Sequence, residues 1–225
     1  MAKPLFDADA LISMFQNATS RQGAQLQKAA GDATLAALQG RELTLKNIRG
    51  ALKSVAEAAS AGVAKNLVAG VDPEALLDKA VAGMDEAMLK AVEANRTALS
   101  TLMAQGADMR DKHLQKALDD LDKMEDSLFS ALKKAAAGAG APMAGAWGPV
   151  LEKMQAGGSL SGAQAAQTAE QMAEQMQTAM RSTRAASMKA AQALAESYTA
   201  MVSGVLIGMS EALQSAGVAK KPKAK

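Results

Sequence analysis

At 225 residues the chain is long enough for a domain with a sizeable core, yet it has only three Phe, one Tyr and one Trp to fill one. Hydrophobic residue types make up 49% of it, but about half of these are alanine, which excludes a thick aromatic core and suits thin layers of closely spaced helices. A formal charge of +2, with four lysines in the last six residues and a body near −2, gives no global electrostatic case for nucleic acid, and the lack of cysteine excludes disulfide and thiolate chemistry.

A first helix is predicted over residues 7–38. Asp7 is its N-cap, and Phe6 and Leu11 stand in the positions of a hydrophobic staple. Leu11, Met14, Phe15, Ala18 and Gln22 share one face, while Gly23 and Gly31 weaken the helix before Gly40 ends it. A second helix, over 44–68, has Thr44 as cap. Its seam of Leu45, Ile48, Leu52, Val55, Ala59 and Val63 alternates steps of three and four.

Val71-Asp72-Pro73-Glu74 then opens a run over 72–137 with an N-cap carboxylate, a proline in the first turn and no further proline until Pro142. As one helix it would hold roughly 65 residues and reach about 100 Å. Its seam of Leu77, Val81, Met84, Met88, Ala91, Asn95, Ala98 and Leu102 resumes as Leu114, Leu118, Leu121, Glu125, Leu128 and Leu132. The two halves are out of register across 106–113, where a long helix bends or changes partner.

Residues 138–158, broken by Gly140, Pro142, Gly145, Gly148 and Pro149, read as a linker with one or two helical turns at most. Ser161-Gly162-Ala163-Gln164 reads as a capping box opening a last helix over 161–216. The expectation is an all-α fold: an elongated antiparallel bundle built on a long hairpin of the 72–137 and 161–216 helices, with two shorter N-terminal helices beside it. Residues 1–217 form one domain, and 218–225 a disordered basic tail. The opening Met1-Ala2-Lys3-Pro4 stretch lacks the apolar core of a signal peptide, so a cytoplasmic location is expected.

Catalytic chemistry finds little support. His113 is the only histidine and has no Cys or second His with which to hold a transition metal. Asp119, Asp120, Asp122, Glu125 and Asp126 lie on a charged helix face, with no sign of the desolvated pocket that a general acid or base needs. The reading is a protein without enzymatic activity, cofactor or metal.

Four features suggest binding instead. Met172, Met176 and Met180, continued by Met201 and Met209, form a row that either packs against a facing alanine helix or offers an adaptable apolar face. Ala200, Gly204, Gly208 and Ala212 form a small-residue ladder for close packing against another helix, in this chain or a second copy. The uncharged run around it, 14 residues between Glu196 and Glu211, is too short to span a bilayer. Trp147 either tucks into the end of the bundle or anchors the chain at an interface. Lys220, Lys221, Lys223 and Lys225 can touch phosphates without sequence readout, or act only as a solubilising tail.

An amphipathic helical chain rich in alanine, methionine and glutamine, ending in Ala219-Lys220-Lys221-Pro222-Lys223-Ala224-Lys225, resembles bacterial phasins. Phasins coat polyhydroxyalkanoate storage granules, and some carry Ala-Lys-Pro tails that touch nucleic acid. The resemblance implies a coat protein on a hydrophobic polymer or lipid-like surface, oligomeric through its helices. The competing expectations are a self-associating helical scaffold and a membrane-active helical toxin.

Overall fold

The computed structural model of the chain describes residues 6–39, 44–66, 68–105, 112–182, 198 and 200–209. The protein is all-α, with no strand among the described residues. The helices are α1 (Ala8–Gln16), α2 (Gly23–Leu38), α3 (Leu45–Ala64), α4 (Pro73–Ala104), α5 (Lys112–Asp122), α6 (Met124–Gly138), α7 (Ala141–Gly157) and α8 (Leu160–Ser182). Residues 200–209 are helical as well.

Local capping chemistry starts the helices where the sequence places it. Asp7 Oδ1 accepts the Ala10 N–H at 2.9 Å, Thr44 Oγ1 that of Asn47 at 3.3 Å, and Asp72 Oδ1 that of Glu74 at 3.0 Å. The first predicted helix is nevertheless two. Asn17 closes α1, its backbone N–H turning back to the Phe15 and Ser13 carbonyls, and Thr19 restarts the chain through a 3₁₀ turn at Ser20–Gln22. The break is fastened from outside. Asn66, just past α3, donates to the carbonyls of Phe15 and Ala18 at 2.9 and 3.0 Å.

The single long helix over 72–137 is also not formed. α4 holds 32 residues, about 48 Å. Asp85 on α4 and Glu125 on α6 both bond to the start of α8, whereas in a straight helix they would stand about 60 Å apart. The chain therefore runs out along α4 and back along α5 and α6, so the two halves of the 72–137 run reverse direction; residues 106–111 between them lie outside the described residues. A second break falls at Lys123 (φ −92°, ψ 9°), between α5 and α6.

Residues 138–158 are not a linker. Gly140 turns at φ 81°, Pro142 sits in the first turn of α7, and Pro149 lies on that helix's exposed side. The face carrying Met143, Trp147, Val150 and Met154 is buried, which holds the helix together despite the missing amide. α8 begins at Leu160, one residue before the predicted start. The predicted continuation over 183–197 and 210–216 lies outside the described residues.

The core follows the predicted seams. Ile48, Leu52, Val55, Ala59 and Val63 of α3 and Leu77, Met84, Met88, Ala91, Ala98 and Leu102 of α4 are all buried. α2 lies along α4, α3 along α6, and α1 crosses α3. Two of these crossings are backbone against backbone. A Cβ on Gly31 would stand 3.1 Å from the Gly83 carbonyl oxygen, and one on Gly83 would overlap the Gln27 carbonyl. Gly31, a weak point by helix propensity, is thus a contact point. At Gly62 an added Cβ would lie 2.5 Å from the Ile12 oxygen and 2.6 Å from Phe15 Cβ.

Gly83→Ala should cost about 1–3 kcal/mol because α2 must move off α4. Gly50→Ala, on an exposed side of α3 with open space around it, should instead gain about 0.5–1 kcal/mol. Urea midpoints of the two variants, moving in opposite directions, check both.

Candidate functional site

The helical stretch at 200–209 sits on the bundle through Val202 and Leu206, both buried, with Met201, Val205 and Met209 half-buried beside them. Ala200, Gly204, Ile207 and Gly208 face outward, Ile207 at 40% exposure, with no charged residue among them. A Cβ on Gly204 or Gly208 would meet nothing within 4 Å. The close packing expected of the small-residue ladder is therefore not made by any described helix of the chain. Ala212, Lys220, Lys221, Lys223 and Lys225 lie outside the described residues.

The methionine row divides. Met172 is buried at 2% exposure on the underside of α8, a core position rather than a free binding face. Met176 and Met180 belong to α8, but their side chains lie outside the described set, as does that of His113. Met201 and Met209 lie at the edge of the outward face of 200–209. Trp147 is no interfacial anchor in this fold. It is 1% exposed, and its Nε1–H donates to Ser60 Oγ at 3.1 Å, while Ser60 donates in turn to the Ala56 carbonyl at 2.8 Å. Indole needs a partner when it is buried, and Ser60 of α3 is that partner.

The start of α8 is held in a way that sequence reasoning missed. Ser159 is the N-cap, its Oγ accepting the Gly162 N–H at 2.9 Å, in place of the predicted Ser161 box. Asp85 of α4 accepts the Leu160 N–H at 2.8 Å, the Ser161 N–H at 3.0 Å and the Ser161 hydroxyl at 2.5 Å. Glu125 of α6 accepts the Ser159 N–H at 2.8 Å. Two carboxylates from different helices thus satisfy the orphan amides and oppose the positive end of the α8 dipole. The only local signal was Gly157-Gly158 ahead of two serines.

A cleft of about 230 Å³ opens beside this anchor, lined by Asp78, Val81, Asp85, Lys153, Met154 and Ser159 among others. Three of the charged residues that line it are engaged, Asp78 with Lys153 and Asp85 with the first turn of α8. Lys153 Nζ bonds Asp78 at 2.7 Å, and this hydrogen bond, then the charges of Asp78 and Glu74, raises the lysine above its ordinary value. Elsewhere on α4, Arg96 grips Glu93 with two bonds of 2.9 and 2.6 Å. That hydrogen bonding, with the guanidinium charge adding and burial opposing, holds the Glu93 carboxyl below its usual range. Among the described residues no three His, Cys, Asp or Glu side chains converge to hold a metal ion, and no helix is long and apolar enough to cross a membrane.

The fold and its anchored helix define an all-α bundle protein with an apolar helical face outside. The chain belongs to a family of unknown function, DUF6781, whose model matches residues 1–215 and so stops short of the lysine tail. Nothing among curated proteins or solved structures matches it.

Ser60→Ala would leave the Trp147 N–H buried without its partner, at a cost of about 1–3 kcal/mol, readable as a lower urea midpoint in the fluorescence of this single tryptophan. For Glu93 the sign is set by its lowered value: the pair stabilises at neutral pH, and this contribution is lost as pH falls through the folded-state value. Glu93→Gln should therefore be slightly less stable than the parent at about pH 7 and equal to it at about pH 2, in paired thermal melts.

Proposed function

We propose that the protein is a non-catalytic coat protein that adsorbs through amphipathic helices to a hydrophobic surface, in the manner of phasins on polyhydroxyalkanoate granules. The observation that carries this reading is the charge-free outward face of residues 200–209, where Ile207 is exposed and Gly204 and Gly208 leave the surface open. A flat apolar particle can meet such a face along its length without displacing any charge. The composition of the core supports the same reading. Helices that bury alanine and methionine stripes lose little apolar contact per residue when they exchange a helix neighbour for an apolar surface.

A second reading rests on the same ladder. Gly204 and Gly208 would let the backbone of a second copy approach closely, which makes a self-associating scaffold. The two readings separate experimentally. Gly204→Leu with Gly208→Leu should break a dimer, seen by sedimentation, but leave adsorption intact.

The direct test is co-sedimentation with polyhydroxybutyrate particles, using the full chain and a chain ending at residue 217. Both forms should bind, which would separate the lysine tail from adsorption. Ile207→Lys should weaken binding about tenfold, the loss of one buried aliphatic side chain. Absence of binding by the full chain removes the coat reading.

A further inference from the structure

The cleft beside the start of α8 is built from three pieces of chain. Asp78, Val81, Ala82 and Asp85 recur at three- and four-residue steps on one face of α4, and Val150 and Met154 line it from α7. The turn at Gly158 and Ser159 closes one end, next to the bond between Asp85 and Ser161. The Asp78–Lys153 pair stands at the other end. Asp78 and Asp85 are about 10 Å apart along the helix, and the wall between them is aliphatic. Val150 and Met154 are buried at its base, and Val81 and Ala82 are half-buried along its side.

The charges around this wall differ in what is left for a ligand. Asp85 already accepts two amides and a hydroxyl from α8, and Asp78 is taken up by Lys153. The amides of the α8 start are filled as well, so they offer nothing to an anion. Lys79 is different: it is exposed, it lines the cleft beside Asp78, and it forms no ion pair among the described residues. Its stem lies against α2, where a Cβ on Gly23 would stand 3.1 Å from Lys79 Cε, so the ammonium is carried on a supported arm. Lys153 gives one N–H to Asp78 and keeps two more. An aliphatic wall ending at two ammonium groups complements a small carboxylate with an apolar tail.

Size limits the tail. A dry cavity of about 150 Å³ takes benzene, so a cleft of about 230 Å³ takes roughly eight or nine heavy atoms, a carboxylate of about six carbons. We propose that this cleft is a binding site for a short-chain aliphatic carboxylate. The carboxylate lies on Lys79 and Lys153, and the hydrocarbon tail along Val81, Val150 and Met154. No residue of 200–209 lines the cleft, so the site stands independently of the coat reading.

Methyl-resolved NMR of the full chain, titrated with hexanoate at constant ionic strength, tests the site. The methyls of Val81, Val150 and Met154 should shift together, with a Kd on the order of 1 mM, as ligand efficiency allows for about eight heavy atoms. Hexan-1-ol, which has the tail without the charge, should bind about tenfold more weakly. Lys79→Met should weaken hexanoate about fivefold and leave hexan-1-ol unchanged, whereas Lys79→Arg should keep the preference. Ala82→Met fills the cleft and should abolish binding of both, while the buried emission of Trp147 shows that the bundle stays packed. The site is overturned if hexanoate at about 50 mM, far above the expected Kd, moves none of the three methyls. It is also overturned if hexylammonium binds as tightly as hexanoate, or if Lys79→Met or Ala82→Met binds hexanoate as the parent does.

Discussion

Backbone contact between α2 and α4 at Gly31 and Gly83 is the constraint on which the other packing depends. A chain this rich in alanine has little side-chain volume with which to hold helices apart, so it gains dispersion energy only if the backbones come close. Two glycines facing each other allow that approach, and Gly62 against Ile12 and Phe15 repeats the device where α1 crosses α3. The helix-propensity cost of each glycine, about 1 kcal/mol, is offset by contacts along the whole crossing. Trp147 is the exception in this thin core, the one very large side chain, and it is accommodated only because Ser60 supplies a hydrogen-bond acceptor inside the bundle.

Large apolar side chains are spread unevenly over this thin core. Around α2, α3 and the first half of α4 the seams bury Leu, Ile, Val or Met about once a turn, with mostly alanine between them. Under α8, through residue 175, the inward positions are Ser, Gly, Ala and Thr, with Met172 alone of larger size. The first turn of α8 is held by polar bonds from Asp85 and Glu125.

The candidate binding features were only partly legible in the sequence. The row of methionines at helical spacing gives no indication of which residues face inward, because burial is set by the neighbour and not by the periodicity. Met172 lies inside, and Met201 and Met209 lie at an edge. Ala200, Gly204 and Gly208 share a face by spacing alone, but whether a helix covers that face depends on the path of the chain elsewhere. Trp147 could not be placed from a Gly/Pro/Ala context that reads as a flexible segment. Its helix forms because Pro142 falls in the first turn and Pro149 on the exposed side, so neither disrupts the buried face.

By itself the sequence determined what is local: the all-α class, the caps at Asp7, Thr44 and Asp72, and the seams of α3 and α4, because capping and periodicity act within one or two turns. The stop at Asn17-Ala18-Thr19-Ser20 was of this kind too, although continuing periodicity hid it. Tertiary structure alone decided that the 72–137 run folds back on itself, that Gly31 meets Gly83, and that the first turn of α8 is held by Asp85 and Glu125. Those contacts join residues far apart in the chain, and the hydrogen bonds and close approaches that fix them exist only once the helices have been brought together.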